Sequence, residues 1–401
     1  MRFRSVIGRI AKEKFLNFEK DEDWFKICRG PPLESCRRLV IIVCFINVAA
    51  LTTLAQVTDE TPAKKTAING PSSLALDNQG HLFVIEGMKD RVRRVDLRKG
   101  TIKTVAGNGK ECCYVDGKPA VQVSLHYLNS IAVDTQGNLF IGDGGQVRRV
   151  DARTGLISTV AGNGKTGETA EGSSALSVTF WNIDGLGVDQ EGDLFIADGR
   201  QGKIFRIAFA DRVVSKVAGN GKVGFSGDTA LAVDASFFNL GSIALDSAGN
   251  IFVTDSAYCR IRRIDHKTRI IDTIAQTGGP EQNCPPQPHV IPWSPAPSDP
   301  AVDSKGDVYF VQGSLDIVSR VGFSPENHPI VAGNGKRGFS GDGGVATAAM
   351  LSNPAGLAVD SEGNLYISEY VNNRIRRVDS KTKIIITVAG NGLPHRLDVE
   401  M

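Results

Sequence analysis

The feature that most constrains the fold of this chain is a sequence phrase that occurs six times. It reads Ala-Val-Asp-x-x-Gly-Asn-Leu-(Phe/Tyr)-Ile, then Arg-x-Arg-Arg-Val-Asp, then Thr-Val-Ala-Gly-Asn-Gly. The first Asp recurs at intervals of 57, 55, 57, 57 and 57 residues, at Asp77, Asp134, Asp189, Asp246, Asp303 and Asp360. A fixed period of this size is typical of solenoids, propellers and other repeat arrays. One repetitive body, residues 67–392, therefore accounts for most of the chain.

Each unit contains four short strand-like runs and no helical periodicity. In the last unit the runs are residues 356–360, 364–370, 374–379 and 384–389, separated by turn-forming residues such as Ser-Glu-Gly. One four-stranded sheet cannot bury both of its faces, but sheets stacked around an axis can. The sequence predicts an all-β, six-bladed β-propeller, with units at about residues 67–123, 124–178, 179–235, 236–292, 293–349 and 350–392.

The N-terminal region is predicted to carry one hydrophobic helix, residues 39–57, after a 38-residue cytoplasmic segment. Arg37 and Arg38 precede it and Asp59 and Glu60 follow it, so the positive-inside rule predicts that the repeat body is exported. Two interpretations stay open: an uncleaved signal anchor, or a signal peptide cleaved near Ala55. A start codon assigned too far upstream would leave an ordinary signal peptide. Residues 58–66 are expected to be a linker and 393–401 a C-terminal tail.

The repeats resemble NHL repeats over about 325 of the 401 residues. The segment Asn-Leu-Tyr-Ile-Ser-Glu-Tyr-Val-Asn-Asn-Arg-Ile-Arg-Arg-Val-Asp, residues 364–379, is nearly the family pattern, and the longer unit is similar to teneurin-type NHL propellers and to those of many exported bacterial proteins. This resemblance implies a propeller used mainly as a binding platform. It also implies two exceptions, since one NHL branch binds RNA and an amidating-lyase branch is catalytic with zinc and calcium.

The charge distribution argues against nucleic acid as a partner. Residues 1–55 hold 10 Lys/Arg and 6 Asp/Glu, so the remainder holds 46 − 10 = 36 basic and 44 − 6 = 38 acidic residues, a net charge of −2. A near-neutral body lacks the basic footprint that phosphate backbones require. The seven cysteines show no zinc-site spacing, and the six histidines are scattered.

Five units place an acidic residue directly after the second strand, where it would face the propeller axis. Ringed carboxylates of this kind could hold a hard cation such as calcium. The alternative is that each acid caps its own turn or pairs with the nearby Arg-x-Arg-Arg phrase. The five candidate metal ligands are Glu86, Asp143, Asp198, Asp255 and Glu369, and the fifth unit has Gln312 instead.

Two further recurring motifs have a functional and a structural interpretation. The Gly-Phe-Ser-Gly-Asp loops, residues 224–228 and 338–342, could bind anions through their amides, or their Phe could pack between blades. The Arg-Arg pairs could form a basic stripe, or one Arg of each pair could pack its stem on the neighbouring blade while the other is solvated. The pairs are 93/94, 148/149, 262/263 and 376/377.

The fourth unit departs from the repeat in a proline-rich loop, residues 278–300. Irregular loops on a rigid scaffold frequently carry function, and Trp is enriched at interaction hot spots. We therefore expect Trp293, with His289 and Pro292, to contact a partner; drift in a surface loop is the alternative. Two disulfides are conceivable in an oxidising compartment, Cys112–Cys113 and Cys259–Cys284.

The sequence thus favours a non-enzymatic, exported, membrane-tethered propeller that binds a protein, peptide or glycan through one face. The alternative from another class is a metal-dependent hydrolase or lyase with a site on the axis. General acid–base chemistry there would require a His or a perturbed carboxylate beside the metal, and no histidine recurs at an equivalent position.

Overall fold

Six antiparallel sheets, one for each sequence unit, make up the described part of the chain. The computed structural model describes residues 60–110, 115–277, 298–322 and 327–393. In every sheet the four principal strands are consecutive in sequence and lie side by side in that order. Three blades gain a two-residue strand beside their outermost one.

The first three blades have the following strands. Blade 1 contains β1 (Thr61–Pro62), β2 (Pro71–Leu76), β3 (His81–Glu86), β4 (Arg91–Asp96) and β5 (Thr101–Ala106). Blade 2 contains β6 (Lys118–Pro119), β7 (Leu128–Val133), β8 (Leu139–Asp143), β9 (Gln146–Val150) and β10 (Leu156–Ala161). Blade 3 contains β11 (Gly185–Val188), β12 (Leu194–Asp198), β13 (Lys203–Ile207) and β14 (Val214–Ala218).

The remaining blades follow the same plan. Blade 4 contains β15 (Ala230–Leu231), β16 (Leu240–Leu245), β17 (Ile251–Asp255), β18 (Arg260–Ile264) and β19 (Ile270–Gln276). Blade 5 contains β20 (Ser298–Val302), β21 (Val308–Gln312), β22 (Ile317–Arg320) and β23 (Ile330–Ala332), and blade 6 contains β24 (Pro354–Val359), β25 (Leu365–Glu369), β26 (Arg374–Val378) and β27 (Ile385–Ala389). The helical turns are short 3-10 segments at Ala63–Lys65, Gly87–Lys89, Ala120–Gln122, Ala232–Asp234, Ser256–Tyr258, Gly313–Leu315 and Ala346–Ala348.

The first two strands of each blade are joined by the predicted Asp-x-x-Gly-Asn turn. In blade 2 the Oδ1 atom of Asp134 accepts hydrogen bonds from the backbone N–H groups of Gln136 at 2.9 Å and Asn138 at 2.8 Å. Gly137 takes the left-handed conformation that the turn requires, with φ of 83°. The same Asp capping occurs in the other five blades, which confirms the predicted role of the motif.

The blades stack around a central axis lined by their first strands. β2, β7, β11, β16, β20 and β24 each lie against the first strands of the two neighbouring blades, including β2 against β24. Buried hydrophobic clusters span pairs of neighbouring blades. One of them contains Phe140 of blade 2 together with Ile196 and Phe205 of blade 3. Burial of both faces explains why strands such as β25 are buried at every position. The predicted six-bladed β-propeller is confirmed.

The ring closes where blade 6 meets blade 1 and the segment that precedes β2. The strands of blade 1 and those of blade 6 are each continuous in sequence. At four blade junctions, a glycine after the fourth principal strand donates its N–H to the carbonyl of an alanine in the next inter-blade loop, as Gly107 does to Ala120 at 3.0 Å. Gly390 makes the same bond to Ala63 at 3.0 Å. The Ser368 hydroxyl also donates to the Ser72 carbonyl at 2.7 Å. Residues 61–70 therefore act as the missing inter-blade loop.

Several sequence predictions fall partly or wholly outside the described residues. The hydrophobic helix at 39–57 and the cytoplasmic segment before it lie there, and so does the tail after Leu393. Among the residues that the structure describes, no helix is long and apolar enough to cross a membrane. Within the range assigned to the linker, Thr61 and Pro62 form β1 and pair with Ile102 and Thr101 of β5.

Candidate functional site

The top face of the propeller is defined here as the face at which the first strand of each blade begins and the second ends. The five predicted acids all lie there, at the ends of β3, β8, β12, β17 and β25, and all are fully buried. Each accepts a hydrogen bond from the backbone N–H of the residue 17 positions earlier, as Asp143 does from His126 at 2.7 Å. The other four pairs are Glu86–Asn69, Asp198–Trp181, Asp255–Phe238 and Glu369–Ser352. The acid thus fixes the start of its own blade.

Buried arginines supply the charge that balances most of these acids. The guanidinium of Arg376 is fully buried and lies 3.1 Å from Glu369 and 2.7 Å from Asp342. Arg148 likewise joins Asp143 at 3.3 Å to Asp116 at 2.9 Å. Each arginine therefore links the acid of its blade to the loop that leads into that blade.

The Arg-Arg pairs thus differ from the sequence expectation. The first member of each pair is buried and forms an ion pair. In three of the four pairs the second member is half-buried and pairs with the Asp two residues later, as Arg377 does with Asp379 at 3.1 Å. Arg149 and Arg263 do the same, so these residues do not form a free basic stripe.

Blades 3 and 5 satisfy the same position with different chemistry. In blade 3 the buried arginine is replaced by Phe205, and Asp198 instead accepts from the side-chain amide of Gln201 at 2.7 Å. In blade 5 the acid is replaced by Gln312 and the arginine by Ser319. The Gln312 amide donates to the Ser319 hydroxyl at 2.9 Å. Blade 5 thus replaces both the acid and the arginine, whereas blade 3 keeps the acid and supplies an amide donor in place of the arginine, because a buried carboxylate without a partner would be costly.

Burial and ion pairing shift the pKa values of the acids in opposite directions. Burial raises the pKa of Asp143, Asp198 and Glu369, and it raises that of Asp255 to about 6. For Glu86 burial acts in the same direction, but the hydrogen bond and charge of Arg91 outweigh it and lower the pKa below the usual value. Arg91 Nε lies 2.5 Å from Glu86 Oε2.

The structure does not gather the five acids into one site. Each is used within its own blade, and the described ranges contain no group of three His, Cys, Asp or Glu side chains placed to hold a metal ion. Calcium at this ring stays a prediction. Of the contacts in the alternative interpretation, pairing with the arginine phrase is present at Glu86, Asp143 and Glu369.

The Gly-Phe-Ser-Gly-Asp loops are held by their blades. Phe225 lies under the guanidinium of Arg260, 3.5 Å from ring centroid to Cζ, and Asp228 pairs with Arg262 at 2.8 Å. In the second loop, Phe339 lies 3.8 Å from Arg374. The Phe therefore packs against an arginine of the following blade.

Aromatic side chains collect around the top end of the axis. Tyr127 precedes the first strand of blade 2 and is 81% exposed, and Trp181 precedes that of blade 3 with Arg200 stacked 3.8 Å from its ring. Phe238 and Tyr258 of blade 4 are in ring contact, with centroids 6.0 Å apart. We call this set, with Tyr370, the aromatic rim; its members are Tyr127, Trp181, Phe238, Tyr258 and Tyr370.

Tyrosines near the opposite face serve a different purpose. The hydroxyls of Tyr309 and Tyr366 donate to the turn carboxylates Asp303 and Asp360, at 3.4 and 3.1 Å. Burial, with the charge of that Asp, raises the pKa of each tyrosine to about 12. These two residues are internal supports, whereas the aromatic rim is partly or largely exposed.

The axial lining contains two acids that interrupt the repeat. Asp299 of β20 accepts from the Ser242 hydroxyl at 2.5 Å and from the Leu357 N–H at 3.2 Å, which joins blades 4, 5 and 6. Asp184, just before β11, accepts from the Gly199 N–H at 2.8 Å. Burial raises the pKa of both carboxyls to about 6. At the Asp299 position, blades 1 and 2 use Ser73 and Ser130.

Sequence reasoning missed Asp184, Asp299 and the aromatic rim. The two acids were detectable in principle, because other units have Ser, Asn, Gly or Ala at the equivalent positions. The rim was not, because Tyr127, Tyr258 and Tyr370 come from different positions of the repeat, although Trp181 and Phe238 are equivalent, and the closed ring brings all five to one face. The partner-contact candidates His289, Pro292 and Trp293 lie outside the described residues. Cys259 is disulfide-bonded, and Cys284, Cys112 and Cys113 lie outside the described residues as well.

Comparison with known proteins agrees with the repeat architecture. The NHL repeat family model matches residues 351–378. Mouse teneurin-1 is 23% identical over 308 residues, which cover 73% of this chain and 10% of the teneurin. The Arabidopsis thaliana protein SUPPRESSOR OF QUENCHING 1, chloroplastic, is 22% identical over 345 residues, 83% of this chain and 27% of that protein. The chain thus matches about a tenth of the length of the teneurin.

Among solved structures, an auxiliary nutrient binding protein from Bacteroides thetaiotaomicron superimposes with a TM-score of 0.53. It is 17% identical and the match covers 78% of this chain and 69% of that one, a likeness in fold alone. The family-model match at residues 351–378, the similarity to teneurins and the six closed blades together fit an NHL-repeat β-propeller.

Proposed function

We propose that this protein is an exported, membrane-tethered propeller that binds a protein partner through its top face. The observation that carries the proposal is the aromatic rim around the axis. Tyr and Trp are enriched at interaction hot spots because they give a large contact area at low entropic cost. Exposed aromatic side chains on one face of a rigid scaffold are what a binding platform requires.

The construction of the top face supports the same proposal. The buried acids and arginines hold the starts of the first strands and the inter-blade loops in place, so the rim is presented on a rigid base. A pre-organised surface loses little conformational entropy on binding. The proline-rich loop, residues 278–300, belongs to the same proposal, because β19 ends and β20 begins at the top face.

The tether rests on the sequence. The apolar run at 39–57 with two preceding arginines predicts a membrane segment whose C-terminal side is exported. The propeller would then be presented outside the membrane, where a disulfide such as that of Cys259 persists.

The proposal is tested by placing a photo-crosslinking amino acid at Tyr127 in the full chain, in the cells that produce it. Phe209 is the matched control, because it is an aromatic residue 61% exposed in the turn between the last two strands of blade 3, away from the rim. We expect one protein to be captured from Tyr127 and not from Phe209. Trp181→Ala should then weaken binding of that purified protein about tenfold or more. Equal capture from both positions, or unchanged affinity, would show that the top face is not the binding surface.

A further inference from the structure

The chain enters the propeller at the outer edge of blade 1. Thr61 and Pro62 pair with the first residues of β5, and the Ala63 N–H donates to the Gly100 carbonyl at 2.8 Å. The predicted apolar run ends at Val57, four residues before Thr61. Four extended residues span at most about 14 Å. If the run crosses the membrane, this edge is therefore held close to the lipid surface.

The same edge is the most basic of the blade edges that can be compared. Lys99 pairs with Asp96 at 3.6 Å and Lys103 pairs with Glu60 at 3.7 Å. The other cations, Lys64, Lys65 and Arg98, are exposed and form no ion pair among the described residues. We call the set the blade-1 basic edge: Lys64, Lys65, Arg98, Lys99 and Lys103.

Internal repetition provides the comparison that makes this cluster meaningful. The positions equivalent to residues 61–65 and 96–103 carry two cations in blade 2, two in blade 4 and two in blade 6, against five in blade 1. These pairs are Lys118 and Arg153, Lys267 and Arg269, and Lys381 and Lys383. The excess of positive charge therefore occurs at the one blade where the N-terminal segment joins the propeller.

We propose that the blade-1 basic edge rests on anionic phospholipid headgroups and so fixes the orientation of the tethered propeller. This inference depends on the membrane tether of the proposed function. A Lys or Arg near an anionic surface contributes about 1 kcal/mol, within a Debye length of about 8–10 Å. The tether keeps the edge within that range, so a weak surface attraction suffices. The axis opening and its aromatic rim lie away from the outer edge and stay uncovered.

The test is lysine footprinting of the full chain in vesicles. The protein is reconstituted in phosphatidylcholine with and without phosphatidylglycerol, treated with a water-soluble amine-reactive ester, and analysed by mass spectrometry. We expect modification of Lys64, Lys65 and Lys99 to slow roughly threefold or more on the anionic vesicles, and the difference to disappear at high salt. Lys267 and Lys381 are exposed controls in the equivalent turns of blades 4 and 6, and their rates should not change.

A variant pair identifies the residues responsible. Lys64→Gln, Lys65→Gln and Arg98→Gln together should restore fast modification of Lys99 on anionic vesicles. Lys267→Gln, Arg269→Gln and Lys381→Gln remove the same charge elsewhere and should leave Lys99 protected. Equal rates on both vesicle types, or protection that survives the first triple variant, would overturn the proposal.

An alkaline wash separates this inference from the tether on which it depends. A chain that stays with the vesicles in alkaline carbonate but shows no protection contradicts only the basic edge. A chain that is extracted contradicts the tether, and the inference falls with it. Protection by a soluble polyanion in the presence of phosphatidylcholine alone, without protection on anionic vesicles, would assign the edge to another partner and overturn the proposal.

Discussion

At the scale of single residues, the decisive interactions are charges buried with their partners. Arg376 is fully buried between Glu369 and Asp342 and also donates to the Ser340 carbonyl at 3.1 Å. Removing one partner of a buried ion pair costs much stability, because the charge that remains buried cannot be solvated. The adjacent Arg377 lies on the same strand, but its ion pair with Asp379 is only half-buried. Comparison of the two arginines therefore isolates the effect of burial.

Replacement of the buried arginine should therefore destabilise the propeller far more than replacement of its neighbour. We expect Arg376→Met to lower the free energy of unfolding by about 3–5 kcal/mol, because Glu369 is left buried and unpaired. Arg377→Met should cost less than about 1 kcal/mol. Chemical denaturation of the two variants and the parent measures both values, and similar losses would contradict the anchoring role of Arg376.

A second residue-scale prediction concerns the axial carboxyl of Asp299. Burial raises its pKa to about 6, above the value of about 3.9 for an unfolded chain. The folded state therefore binds the proton more tightly, and this group's contribution to stability is largest at low pH and is lost as the pH rises through about 6. Asn reproduces the protonated carboxyl, with an amide that can donate to Ser242 and an oxygen that can accept from Leu357.

We expect Asp299→Asn to stabilise the protein by about 1–2 kcal/mol above pH 7, a value reduced for the part of the side chain that water reaches. The gain should shrink towards zero below about pH 4. Unfolding free energies of parent and variant across this range provide the measurement. A pH-independent difference would mean that relief of the left-handed backbone at Asp299, with φ of 44°, dominates instead.

At the scale of elements, the Gly-Asn-Gly loop after the outermost strand is a steric requirement. Gly219 follows β14 with φ of 91°, and a Cβ there would lie 2.0 Å from the Gly202 carbonyl oxygen. The equivalent glycines 107, 162, 333 and 390 meet backbone atoms in the same way. The motif repeats because two backbone segments approach closely at the same place in each blade. The fourth unit instead has Gln276 at the equivalent position, where it is the last residue of β19.

Two alanine substitutions separate crowding from backbone conformation. Gly219→Ala should lower the unfolding free energy by about 3 kcal/mol or more, since it combines a left-handed residue with a backbone clash. Gly343→Ala should cost only about 1 kcal/mol, because that glycine has a similar φ of 84° but nothing within 4 Å of a Cβ. Thermal or chemical denaturation measures both losses, and they would be similar if backbone conformation alone were decisive.

At the scale of the whole molecule, stability depends on ring closure. No blade buries both faces by itself, and the junction between blades 6 and 1 repeats the contacts of the other junctions through Ala63 and Ser72. The cluster at this junction includes Leu74, Ile68 and Tyr366. An open ring would expose the two blade faces that pack against each other at this junction.

Removal of one complete unit should therefore abolish cooperative folding. We expect a chain without residues 179–235 to lose its unfolding transition, because the angle between every pair of neighbouring blades would have to change for five to close. Circular dichroism and calorimetry detect the loss. A shortened chain that melts cooperatively as a monomer would show that the blades adapt to a different ring.

The sequence by itself determined the number of blades, the strands of each unit and the Asp-x-x-Gly-Asn turns, because these follow from local propensity and from a period repeated six times. It also indicated the two possible roles of Glu86 and its equivalents. Only the tertiary structure showed which protein groups they contact, since the 17-residue separation between each acid and the N–H it caps has no local signature.

The tertiary structure also decided which residues share a face. Tyr127, Trp181 and Tyr370 are far apart in sequence and occupy different positions of the repeat, so no periodicity relates them. They lie around one axis because the blades stack side by side and the segment at Ala63 closes the ring. Contacts of this kind are set by packing between units, whereas a repeat in sequence specifies only what each unit has in common.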